Sequence, residues 1–176
     1  KVLALDKTGT ITQGKPVVTD VIDLKGNANG HLRDALGLGA AQTARSDHPT
    51  SSAITAYWQK NMNGAVPMEI TEFAAIAGRG VKGRIDGQWI YLGNHRLVEE
   101  LGICSAETEA VLFKLEEEGK TVVVICDELK PLAIIAVADT VRETSREAIA
   151  QLHALGVRTV MLTGDNRHTA AVIAKN

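Results

Sequence analysis

Val2-Leu3-Ala4-Leu5-Asp6-Lys7-Thr8-Gly9-Thr10 decides how this chain is read. The first four residues form a short apolar run of the kind that makes a fully buried strand. A carboxylate follows where that strand ends, in a loop with a glycine and two hydroxyls. Such a loop is set to meet a phosphate. The carboxylate can attack phosphorus in line, while loop N–H groups and threonine hydroxyls take the charge on the phosphoryl oxygens. Lys7 adds a cation nearby. A plain N-capping aspartate with a Thr/Gly turn is the bland alternative, and five matched positions at a strand end argue against it.

Outward from this stretch, Val17–Ile22 reads as a second strand, entered through Pro16. Lys25–Gly30 is a polar turn cluster. His31–Arg45 and Pro49–Lys60 read as helices, the second with proline in its favoured first turn. Ile70–Ala77, Val81–Ile85 and Trp89–Leu92 read as strands, and Asp86-Gly87 is a strong hairpin signal between the last two. Asn94–Leu101 is a short helix. Ser105–Glu118 is a longer one, with Ser105 as N-cap and Gly119 as its stop. Thr121–Cys126 and Leu132–Val137 form a hairpin around Asp127–Lys130. Strand–helix alternation then takes over. Thr140-Val141-Arg142-Glu143 matches a capping box opening a helix to Leu155, with Val141, Ala148, Ile149, Leu152 and Leu155 on its apolar face. Arg158–Leu162 is an apolar run like the first, followed by Thr163-Gly164-Asp165 and another helix.

Two architectures are interleaved. Residues 1–15 and 132–176 read as pieces of a parallel α/β domain, and 16–131 as an inserted α+β domain with an antiparallel sheet. The chain starts in a strand and stops in a helical pattern without a cap, so it reads as cut from something larger.

The bulk numbers exclude several classes. At 176 residues with a net charge of −2, there is no basic footprint for nucleic acid. Aromatics at 3% leave no stacking platform for single strands. Cys104 and Cys126 lack metal-ligand spacing and read as free thiols of a reducing compartment. No stretch reaches the roughly 18 apolar residues of a membrane helix, and no signal peptide is apparent.

Thr163-Gly164-Asp165 follows an apolar run, as Asp6 does. Loops at the carboxyl ends of neighbouring parallel strands converge on one crevice, so Thr163 and a loop N–H can reach the phosphoryl group at Asp6. The following helix N-terminus favours that charge. Alone, the tripeptide would be a capped helix start.

Together, Asp6–Thr10 continued by Ile11-Thr12, and Thr163–Asp165, resemble the signature loops of the P-type ATPases, ion pumps built on the haloacid-dehalogenase phosphotransfer site. The resemblance makes Asp6 the phosphorylated residue, with Lys7, Thr8, Thr163, Gly164 and Asp165 as catalytic companions. It implies ATP as substrate and Mg²⁺ held by the Asp6 carboxylate and the Thr8 carbonyl. Dehalogenase-type phosphatases carry a second Asp two residues after the nucleophile as general acid/base. Here that position is Thr8, which cannot serve, so the acyl phosphate would persist. A soluble phosphatase or phosphotransferase is the alternative that Thr8 disfavours.

Ser46-Asp47-His48-Pro49 resembles the His-Pro motif of the heavy-metal branch, in which the histidine contacts adenine; by itself it is a cap and turn. Gly78-Arg79-Gly80 and Gly93-Asn94 are similar to glycine features lining that pocket, though alone they read as a bulge and a helix start. Asp139-Thr140-Val141-Arg142 resembles a motif where nucleotide and hinge meet, and reads equally as a capping box. By this resemblance His48, Gly78, Gly80, Gly93, Asn94, Asp139 and Arg142 bind nucleotide. Thr43 stands where family members commonly have Glu. The later Gly-Asp-Gly loop, which supplies another Mg²⁺ ligand, has no counterpart in this sequence. His31, His95, His153 and His168 read as surface or helix histidines, since no carboxylate or thiol accompanies them at metal spacing. The resemblance implies a cytoplasmic part of a multi-pass membrane protein, joined to its own transmembrane domain. That domain would bind the transported cation, zinc, cadmium or lead more than copper.

Overall fold

The structure, a computed structural model, describes residues 1–24, 37–39, 49–61, 69–163, 170–171 and 173–174. Strands β1 (Val2–Asp6) and β2 (Val17–Asp23) are separated by a tight turn over Lys7–Ile11. Helix α1 (Pro49–Asn61) leads to β3 (Thr71–Ile76), β4 (Gly80–Ile85) and β5 (Gln88–Gly93). Helices α2 (His95–Glu100) and α3 (Ala106–Glu117) precede β6 (Thr121–Cys126) and β7 (Pro131–Ala138), and α4 (Glu143–Ala154) and β8 (Arg158–Leu162) follow. The helix expected over His31–Arg45 falls mostly outside the described residues, as do the Lys25–Gly30 turn cluster and the start of the helix after Asp165.

The order β2-β7-β6-β5-β4-β3 makes an antiparallel six-stranded sheet, and β1 and β8 pair in parallel. In β6 and β7 the side chains alternate between two cores. Val123, Ile125, Ala133 and Ile135 pack with Ile54 and Trp58 of α1. Val122, Val124, Ile134 and Ala136 pack with Val98 of α2 and Leu112 and Leu115 of α3. Burial on both faces explains why these strands read as unbroken apolar runs. The expected Asp86-Gly87 hairpin forms, with Ile85 opposite Gln88 and positive φ at Asp86 (49°) and Gly87 (81°), the geometry of the twisted two-residue turn. Ser105 caps α3 by accepting from the Thr108 N–H at 3.2 Å.

Three expectations are corrected. β1 and the Arg158–Leu162 run were read as fully buried strands, but Val2 is 63% exposed and Leu162 54%. Among the described residues each strand has only the other as a sheet neighbour, and α4 has no buried residue. The Thr140 capping box does not form: α4 starts at Glu143 with Arg142 at its cap position, and no side chain caps it. Val141, expected on the helix's apolar face, instead bridges antiparallel to Thr12. Strand β7, grouped by sequence with the ends of the chain, lies between β2 and β6, so by strand pairing 131–138 go with the large sheet.

Candidate functional site

Asp6 ends β1 opposite Leu162, the last residue of β8, so parallel pairing brings Thr163 to the same sheet end. Asp6 is exposed and Thr163 half-buried. The backbone then tightens: the Thr12 N–H donates to the Lys7 carbonyl at 2.9 Å, and Gly9 adopts a φ of 77° between them. Lys7 is buried at 7% exposure, whereas Thr8, Gly9 and Thr10 face solvent. The loop thus presents a carboxylate, a hydroxyl and backbone amides outward from a fixed base.

That base is held by Asp139 and Arg142. One Asp139 oxygen accepts from the Thr12 hydroxyl and from the Gly14 N–H at 3.1 Å, and the other from the Lys15 N–H at 3.2 Å. Arg142 Nε donates to the Thr12 carbonyl at 3.0 Å, and Ser145 Oγ to the Thr10 carbonyl at 2.9 Å. Thr12 itself is fully buried. In this arrangement Asp139 and Arg142 lock the turn after Asp6 to the segment leaving β7, and Asp139 also reaches the cleft wall described next.

A cleft of about 950 Å³ runs from the turn after Asp6 along the six-stranded sheet. Lys7, Thr8 and Asp139 line it, as do Gly78, Gly80, Gly93 and Asn94. Pro49, Thr50 and Ser51 at the start of α1 also line it. Its size falls at the upper end of the roughly 300–1,000 Å³ typical of small-molecule sites. The structure therefore brings Lys7, Thr8, Asp139 and the glycine pairs to one space. His48, Gly164 and Asp165 lie outside the described residues.

The glycines are there because two strand edges touch. A Cβ on Gly80 would stand 2.1 Å from the Leu92 carbonyl oxygen, and one on Gly93 2.2 Å from Leu97 Cδ2 and 2.9 Å from the Arg79 carbonyl oxygen. No side chain fits at either position, so the cleft wall there is bare backbone. The Asn94 side chain ties this wall together. Its Nδ2 donates to the Gly78 carbonyl at 3.0 Å, and its Oδ1 accepts from the Leu97 N–H at 3.2 Å, capping α2. Arg79 is anchored by Glu100 through two bonds of 2.8 and 2.6 Å. That pairing raises the arginine's pKa and lowers the carboxyl's.

Sequence reasoning missed one cluster. His95 was set aside because no carboxylate or thiol accompanied it, but Glu99 lies one helical turn on, with 3.9 Å between His95 Nε2 and Glu99 Oε1. Cys104 Sγ is 3.8 Å from His95 Nε2, and Glu109 of α3 joins the group. The i,i+4 spacing of His95 and Glu99 was the available signal.

The haloacid dehalogenase-like hydrolase family model matches residues 1–176. A probable cadmium-transporting ATPase of Staphylococcus aureus is 42% identical over 176 residues, covering 98% of this chain and 24% of that protein. A copper-exporting P-type ATPase of Staphylococcus saprophyticus is 40% identical over 172 residues, covering 98% of this chain and 20% of that protein. Among solved structures, a zinc-transporting PIB-type ATPase in its E2.Pi state aligns with a TM-score of 0.68 and 33% identity, over 99% of this chain and 27% of that one. The chain thus spans about a quarter of the length of the relatives it matches.

Proposed function

The chain belongs to the haloacid dehalogenase-like hydrolase family, and we propose that within it this chain is the ATP-binding, phosphoryl-accepting part of a P-type ATPase that moves heavy-metal cations. The observation that carries this is that one cleft is lined both by Lys7 and Thr8 and by the glycine wall 78–80 and 93–94. One nucleotide can lay its base against bare backbone and direct its phosphates to Asp6. The matched relatives are named for cadmium and copper transport, which supports a soft-metal cargo.

In this reading an Asp6 carboxylate oxygen attacks the γ-phosphorus in line. An O–P bond to Asp6 forms as the bond from the γ-phosphorus to the β-γ bridging oxygen breaks, and the electron pair leaves on ADP. Loop amides and the Thr8 and Thr163 hydroxyls face the phosphoryl oxygens. The Asp139–Arg142 clamp fixes the turn, because in-line attack tolerates little misplacement. Mg²⁺, when bound, neutralises phosphate charge. The exposed Asp6 carboxylate and the Thr8 carbonyl offer the hard oxygen donors that suit it, with phosphates and water completing the shell. Thr8, standing where dehalogenase-type phosphatases carry their second aspartate, cannot act as a general base on the acyl phosphate, so it lasts long enough to drive a conformational cycle, as a phosphatase intermediate would not. The membrane domain, the cargo site and a cytoplasmic position for this part belong to the same proposal. Among the described residues no helix is long and apolar enough to cross a membrane.

The test is phosphorylation of the full-length protein by radiolabelled ATP. An acid-stable, hydroxylamine-sensitive phosphoprotein is expected, and Asp6→Asn should abolish it while ATP binding to the cleft persists. Label that survives Asp6→Asn would remove the assignment.

A further inference from the structure

Next to the glycine wall, three metal-competent side chains from two helices gather, with a thiol from the connecting loop beside one of them. His95 and Glu99 come from α2, Cys104 from the loop, and Glu109 from α3. The donor atoms of His95, Glu99 and Glu109 all lie within 4.8 Å of one another. Cys104 Sγ is 3.8 Å from His95 Nε2 and lines a cavity of about 270 Å³ together with Glu99, Gly102 and Glu109. The His95 ring is set by an edge contact with Phe113, its centroid 5.6 Å away at 83°.

We propose that His95, Cys104, Glu109 and Glu99 form a binding site for one divalent cation of the zinc or cadmium type. Bond lengths of about 2.3 Å to sulfur and about 2.0–2.2 Å to nitrogen and oxygen put tetrahedral donors about 3.4–3.6 Å apart. The Cys104–His95 and His95–Glu99 separations of 3.8 and 3.9 Å need contract by only a few tenths of an ångström. Glu99 is 57% exposed at its side chain and can swing inward from solvent. One thiol, one imidazole and two carboxylates make a mixed set that suits Zn²⁺ or Cd²⁺. The hard ions Mg²⁺ and Ca²⁺ prefer oxygen alone. Burial, then the Glu109 and Glu99 charges, push the Cys104 thiol's pKa up; a bound dication would reverse that and take the thiolate as ligand. Among the described residues His95, Glu99 and Glu109 are the one group of three or more His, Cys, Asp or Glu side chains at such distances, and Cys104 adjoins it through His95. The site is independent of the phosphoryl-transfer reading, although His95 and Glu99 also border the large cleft.

Titration of the 176-residue chain with Cd²⁺ alone tests it. One equivalent should bind and give the ultraviolet charge-transfer band of a cadmium–thiolate bond. Cys104→Ser should remove the band, whereas Cys126→Ser and Asp6→Asn should leave it. His95→Ala and Glu109→Gln, at partly exposed positions, should each weaken binding by about tenfold or more, with far-UV circular dichroism unchanged. No band at low micromolar cadmium, a band surviving Cys104→Ser, or affinity unaltered in both His95→Ala and Glu109→Gln would overturn the proposal.

Discussion

The six-stranded sheet and the β1–β8 pair are built from similar apolar runs, yet they end in opposite conditions. In β7, every residue from Pro131 to Val137 is buried, because β2 and β6 flank it and helices cover both faces. In β1, Val2, Leu3 and Ala4 are exposed, and α4 buries no residue against the pair. A parallel strand pair with so little cover has little stability of its own. Among the described residues Asp6 therefore sits in the part with least core, while the glycine wall sits on the part with most. The clamp of Asp139 and Arg142 onto 12–15 joins the two, and the fixed position of the loop rests on it.

The sharpest way to break this contrast is to trim one apolar side chain in each region. Ile134→Ala, at a position with no solvent exposure, should cost about 2–5 kcal/mol in urea unfolding. Val2→Ala should change stability by no more than about 0.5 kcal/mol. Equal losses would mean that β1 carries as much of the core as β7.

A smaller effect is expected at the seam. Asp139→Ala leaves two backbone N–H groups short of their acceptor and the buried Thr12 hydroxyl with only the Lys7 carbonyl at 3.2 Å, and should cost about 1–3 kcal/mol. Asp6→Asn, at an exposed carboxylate, should leave the unfolding midpoint nearly unmoved. A neutral Asp139→Ala would show that the Arg142 and Ser145 bonds and the bridge from Thr12 to Val141 hold the seam without this carboxylate.

A further modest effect belongs to the Lys120 ion pair, which ties β2 to the start of β6. Lys120 Nζ lies 2.7 Å from Asp20 Oδ2 and 2.6 Å from Glu118 Oε2. The hydrogen bond from Lys120, then that from Thr19, hold the Asp20 carboxyl below its ordinary 3.8. Asp20 and then Glu118 raise Lys120 above 10.5. A depressed carboxyl contributes stability above its unfolded pKa and loses it as pH falls through the lower folded value. A raised lysine contributes below its unfolded pKa and loses that contribution as pH rises through the folded one. Lys120→Met should thus cost at most about 1 kcal/mol at neutral pH, reduced by solvent screening because Asp20 is 35% exposed at its side chain. The difference from the parent chain should vanish in strong acid. A cost that persists there would assign the effect to packing of the lysine stem.

Much of this molecule was legible because its signals are local. Asp86-Gly87 sets a turn, Ser105 and Gly119 bound a helix, and two-sided burial of β6 and β7 appears as unbroken apolar runs. The turn beginning at Asp6 could be read from nine residues, since a strand end, a carboxylate and a glycine are neighbours in sequence. The Thr140 capping box misled because the same four residues have a stronger use: Val141 bridges to Thr12 and Arg142 reaches its carbonyl.

By itself the sequence determined where strands, turns and helices fall, and that a carboxylate stands at a strand end in a phosphate-type loop. Only the tertiary structure decided that β7 goes between β2 and β6 and that Asp139 closes on Thr12 across 127 positions. The physical reason is range. Periodicity and turn chemistry act within a few residues and leave their mark in the local string. Strand order and cross-chain clamps follow from which apolar faces and buried polar groups satisfy one another once the chain is compact, and no short window of sequence contains both partners.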